Sequence, residues 1–163
     1  MLRSLAIALL LAVPTAASAQ GDCITPAEGR AVVTHLLPSL LDSVERRCAP
    51  VLGADAFLSR DAGQLARRLT PQSERNWPAA RVALERQFGT RLPESGPLVE
   101  LGRMAITDGL AKDMDAQACE VADGLLRELA PLPPRNLANV VTILVEAGLE
   151  NDPDADLRIC PTP

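Results

Sequence analysis

The residues with the most chemistry to offer are four cysteines and one histidine. Cys23, Cys48, Cys119 and Cys160 lie at least 25 residues apart, and no C-x-x-C occurs. Zinc sites and thiol oxidoreductases draw on closely spaced cysteines, so that spacing disfavours both. An even number of distant cysteines reads as two disulfides in an oxidising compartment. His35 is the sole histidine, so any catalytic triad, Cys–His nucleophile or metal pair must use it. Helical spacing puts it on a charged face with Glu28 and Asp42, where it reads as an exposed surface residue. No G-x-S-x-G, H-E-x-x-H or phosphate-cradling glycine loop is present. The sequence thus nominates no catalytic, cofactor-binding or metal-ligating residue.

Weaker constellations have plainer readings. Glu94, Glu100 and Asp108 could form a carboxylate cleft for acid–base work, but nothing in their spacing singles them out. Asp152, Asp154 and Asp156 resemble the first half of a calcium loop. Leu157 then stands where the turn glycine belongs and Pro163 where the bidentate glutamate belongs. Those acids read as a solvated tail. Trp77 and Phe88 could line a ligand pocket, yet at helical spacing with Leu84 they read as core. Pro131 to Arg135 looks like a polyproline ligand, but between two strong helical patterns it reads as a connector.

The ends supply context. Arg3, an apolar run from Leu5 to Val13, Pro14 and then Ala17-Ser18-Ala19 ahead of Gln20 have the layout of a secretory signal peptide. The run is too short to span a bilayer, which takes about 20 residues. The expected division is a cleaved leader over 1–19, a helical domain over 20–149 and a polar tail over 150–163 tied by Cys160. About 144 residues then remain, enough for one domain with a real core. Loss of Arg3 takes the net charge to −6 in place of −5. An acidic chain without a basic block is a poor nucleic-acid binder. Two phenylalanines, one tryptophan and no tyrosine leave few aromatic platforms for bases or sugars. Lys112 is the only lysine among many arginines, a bias that fits a GC-rich bacterial genome. The localisation expected is periplasmic or secreted.

The elements that must position these residues all read as helices. Thr25-Pro26-Ala27-Glu28 is a capping box with proline in the first turn, and the helix it opens runs to about Cys48. Val33, Leu36, Leu37, Leu40, Leu41 and Val44 share one face, and Pro38 falls on the solvent side as a kink. A short helix over 55–69 follows, then a turn at Thr70-Pro71. Asn76 caps the next helix, which ends at Gly89. Ser95 caps a helix over 96–113 whose stripe of Gly102, Ala105 and Gly109 marks it as central. Asp115 caps one over 116–130, with Asp123 and Arg127 an outward pair. Leu137, Val140, Val141, Leu144 and Val145 define the last helix, stopped by Gly148. No segment alternates with period two. The fold expected is a single all-α bundle of five to six helices.

A continuous first helix separates Cys23 from Cys48 by about 30 Å, far beyond disulfide reach. Chain termini often lie close together. That favours Cys23–Cys160 with Cys48–Cys119 over Cys23–Cys119 with Cys48–Cys160. The function expected is a non-enzymatic exported protein without cofactor, working as a protein-binding factor of inhibitor, immunity, chaperone or envelope-adaptor type. Its acidity favours a basic partner. The alternative is a carrier of an apolar small molecule in a cavity of the bundle.

Overall fold

The computed structural model describes residues 23–150 and Cys160. The expected leader, Asp152, Asp154 and Asp156 lie outside the described residues. Six helices account for nearly all of the rest: α1 (Pro26–Cys48), α2 (Phe57–Arg60), α3 (Ala62–Phe88), α4 (Pro97–Ala111), α5 (Ala116–Leu129) and α6 (Pro134–Glu150). No strand occurs among the described residues. One isolated backbone bond, from the Cys160 amide to the Ile24 carbonyl, ties the end of the chain to its start.

The start of α1 follows from its first four residues. Thr25 Oγ1 accepts from the Glu28 amide, and Glu28 Oε2 accepts from the Thr25 amide at 2.9 Å. Arg86 of α3 donates to both oxygens of Glu28, at 2.8 and 2.7 Å. That guanidinium holds the Glu28 carboxyl down at about 2, against an ordinary 4.5. A depressed carboxyl stabilises the fold above its unfolded value, so this contribution fades as pH falls from 4.5 towards 2. Replacing Thr25 by alanine removes the cap and is expected to cost about 1 kcal/mol in a urea titration.

α1 is the axis of the bundle. α3 returns antiparallel along it, as the pairs Glu28–Arg86, His35–Ser73 and the Leu41–Leu65 cluster show. α4 and α6 cover other sides of the same helix. One core joins Leu37 and Leu41 to Leu65, Leu69 and Leu137. A second gathers Val44, Leu58, Ala62 and Ala111 around Cys48 and Cys119. Towards the other end of the hairpin the buried residues are small, namely Gly29, Ala31, Ala80 and Ala83, which lets the two helices lie close.

The disulfides are Cys23–Cys160 and Cys48–Cys119, the pairing that helix length and close termini together favour. Cys23 and Cys160 have Cα atoms 5.1 Å apart, and Cys48 and Cys119 5.4 Å. The first clips the two ends of the described chain. The second sits inside the second core and is fully buried.

Several expectations change. α1 is continuous through Pro38, which is buried, not on the solvent side. α3 runs unbroken through Pro71 and Pro78, so neither a turn at Thr70 nor a new helix at Asn76 exists. Asn76 instead donates its side-chain amide to the Gln72 carbonyl one turn back. An interior proline costs about 3 kcal/mol, and packing against α1 offsets it here. α4 begins at Gly96, whose φ of 108° lies in the left-handed region, and Ser95 makes no cap. α4 is peripheral, not central. Gly102, Ala105 and Gly109 are exposed, and no atom lies within 4 Å of where a Cβ would stand at either glycine. α6 passes through Gly148 to Glu150. Leu144 and Val145, expected inside, are exposed. Asp123, expected outside, is buried and accepts from the Leu58 amide of α2 at 2.7 Å.

Candidate functional site

Where α1, the second half of α3, the 89–96 loop and α4 meet, they enclose a cavity of about 230 Å³. Its walls are mostly apolar: Leu36, Trp77, Leu84, Phe88, Leu92 and Ile106. His35 and Arg103 are its two nitrogen-bearing polar residues. Gly102 also lines it, and the missing side chain there leaves room that any larger residue would fill. Phe88 and Leu98 stand exposed at the mouth.

The loop is held as a wall by two side chains of α3. Trp77 Nε1 donates to the Glu94 carbonyl at 2.6 Å. Glu85 Oε1 accepts from the Leu92 amide at 2.8 Å and pairs with Arg81 at 2.9 Å. Gly89, with φ of 62°, ends α3 in the left-handed conformation that lets the chain turn back.

His35 is only 5% exposed, which overturns the reading of it as a surface residue. The wheel put it opposite the apolar stripe, but α1 is covered on several sides, so its polar side meets α3. Trp77 stacks on the imidazole with ring centroids 4.6 Å apart. His35 Nδ1 lies 3.3 Å from the Ser73 carbonyl, and Ser73 Oγ donates to the His35 carbonyl at 2.6 Å. A carbonyl only accepts, so Nδ1 carries the ring proton and Nε2 keeps its lone pair. Nε2 is buried with no partner. A partnerless buried polar atom costs roughly 1–3 kcal/mol, so its presence needs a reason.

Arg103 offers the complementary group. Its Nη2 donates to both oxygens of Glu100, at 2.5 and 2.6 Å. Its Nε is buried and unpartnered. The cavity therefore has apolar walls, with the polar residues His35 and Arg103 packed at its edge.

Burial pulls the His35 pKa below its ordinary 6.5, and Arg103 adds to that. The Ser73 carbonyl and Glu100 oppose it, and the α3 residues against the ring carry no charge. The sign follows from linkage. The unfolded chain takes up a proton as pH falls through 6.5 while the folded ring stays neutral, so this contribution is present above 6.5 and lost below it. A thermal melt is expected to weaken between pH 7 and pH 5, before Glu28 begins to titrate. His35→Phe should flatten that limb.

No known protein family, curated protein or solved structure matches this chain. The site must be read from its own atoms.

The other candidate residues are not brought together. Asp108 accepts from Ser43 and Arg46, each at 2.6 Å, on the far side of α4 from Gly102. Glu100 is spent on Arg103. Glu94 contributes its backbone carbonyl to Trp77. Among the described residues no three His, Cys, Asp or Glu side chains form a metal-binding group. Pro131 to Pro133 do join α5 to α6, and Arg68 donates to the carbonyls of Ala130 and Leu132 there. Trp77, Leu84 and Phe88 line one cavity; Leu84 is buried, whereas Phe88, read as core, is exposed at the mouth. What the sequence hid was His35 and Arg103. They are remote in the chain and meet only because α3 and α4 both pack on α1.

Proposed function

We propose that this chain is an exported binding protein that carries a small apolar molecule in the cavity between α1, α3 and α4. The observation that carries the reading is the apolar chamber itself, walled by Leu36, Trp77, Leu84 and Ile106 with His35 and Arg103 among its lining residues. Ligand sites have that composition: apolar walls and a few placed polar groups. A cavity near 150 Å³ holds benzene, so about 230 Å³ suits roughly nine non-hydrogen atoms. Two disulfides support export to an oxidising compartment. No helix among the described residues is long and apolar enough to cross a membrane.

The test is a thermal-shift series with small apolar compounds on the natural chain and on Gly102→Phe. Phenylalanine at 102 would occupy the cavity without a backbone clash. Compounds should raise the melting temperature of the natural chain and leave the filled variant unmoved. Equal shifts in both would end the proposal.

A second reading rests on a different surface. The outer face of α4 presents Leu101, Ala105 and Gly109 to solvent. That face favours a protein-binding factor, with a basic partner suited to the acidic chain. An Ala105→Arg change should abolish such a complex.

A further inference from the structure

We propose that the chain also holds an anion site: a second cleft, between α1, α3 and α6, that takes a small doubly charged oxyanion, a phosphate ester or a dicarboxylate. The cleft measures about 310 Å³ and shares no residue with the apolar cavity. Three helices each turn an i, i+4 pair towards it: Arg30 and Thr34 of α1, Gln72 and Asn76 of α3, Arg135 and Asn139 of α6. No carboxylate lines it.

The two arginines ask for an anion. Neither Arg30 nor Arg135 has an ion pair or a side-chain hydrogen bond among the described residues. Arg46, Arg60, Arg81, Arg86, Arg103 and Arg127, by contrast, each hold an acid. The acids nearest in sequence to the cleft are spent or turned away. Glu28 holds Arg86 through both oxygens. Glu74 lies two residues past Gln72, about 200° round α3. Two like charges on one cleft repel, and a dianion between them relieves that repulsion. Guanidinium forks fit the paired oxygens of a carboxylate or phosphoryl group.

The amides agree. Arg75 donates to Gln72 Oε1 at 2.8 Å. A guanidinium only donates, so the amide oxygen faces it and Nε2, a donor, is the end left over. Asn139 makes no side-chain hydrogen bond and brings a further donor. Asn76 is turned to the Gln72 carbonyl. A cleft of this size has room for about ten non-hydrogen atoms, more than a bare phosphate ion fills, so the anion carries a body or a second charged group.

The experiment is a calorimetric titration of the full chain, at pH 7.5 and low ionic strength, with inorganic phosphate, succinate and, as the singly charged reference, acetate. The better of the two dianions should bind at least about tenfold more tightly than acetate. Arg30→Gln and Arg135→Gln should each weaken it about tenfold, the loss of one charge-assisted contact. Both arginines are exposed, so neither substitution disturbs the core. Arg91→Gln, at an exposed arginine outside the cleft, should change nothing. Tighter phosphate assigns the site to phosphate esters, and tighter succinate assigns it to dicarboxylates. No saturable binding of either dianion, or equal binding by the natural chain and both cleft variants, overturns the anion site. Neither result touches the carrier reading, which rests on other residues.

Discussion

Replacing Cys48 and Cys119 together by alanine lowers stability by about 4 kcal/mol, the chain-entropy value for a closed loop of this length. The bond spans 71 residues and joins the end of α1 to the first turns of α5. Both sulfurs are buried among Val44, Leu58, Ala62 and Ala111, so the variant also loses packed volume. For a domain of this size the melting temperature should fall by about 15 °C. The outer bond behaves differently. Cys23 and Cys160 are only partly buried, so mild reductant should open that bond first. Mass mapping after partial reduction checks the order. A protected Cys23–Cys160 bond alongside an opened Cys48–Cys119 bond would contradict the placement of the two.

Asp123→Ala is the other large effect, expected at about 3 kcal/mol. The carboxylate is 6% exposed. One oxygen accepts from the Leu58 amide at 2.7 Å, and the other from Arg127 at 2.7 Å. The Leu58 amide lies in the first turn of α2, where helical donors have no partner within their own helix. α2 has only four residues and no cap of its own, so Asp123 of α5 supplies the cap from outside. Alanine leaves that amide buried without an acceptor. Asparagine keeps an oxygen for it and should cost about 1 kcal/mol. Equal losses for the two variants in denaturant titrations would show that the charge pair with Arg127, not the cap, is what matters.

These two sites show what local pattern can and cannot carry. The capping box at Thr25 and the length of α1 were legible because they depend on neighbours within four residues. Helix length also excluded Cys23–Cys48, and the choice between the two remaining pairings rested on the expected closeness of the chain termini. Asp123 was not legible. At i, i+4 from Arg127 it fits a surface ion pair perfectly well, and the amide it caps belongs to a helix 65 residues away. Pro71 read as a turn and Pro78 as the first-turn proline of a new helix, because a lone helix would break there. Tertiary packing along α1 sustains 27 residues of helix through both. The stripe of Gly102, Ala105 and Gly109 suggested a close helix contact, but alanines of α1 and α3 fill that role.

The cavity was hidden for the same reason. A helical wheel sorts residues into one inner and one outer face. α1 has neighbours on more than one side, so His35, Ser39 and Ser43 are buried although they lie off the apolar stripe. Each such polar residue must then find a partner. Ser43 donates to Asp108, and Ser73 serves His35. His35 Nε2 remains unserved, and the neutral, buried state of the ring is inferred from that packing.

The sole histidine allows one direct measurement of that inference. A ¹⁵N NMR titration of the imidazole reads protonation, tautomer and hydrogen bonding from a single residue. The ring should be neutral at pH 7, with its proton on Nδ1 and a titration midpoint below 6.5. An imidazole that titrates at 6.5 or above would contradict the burial of His35 against Trp77 on which the cavity wall depends.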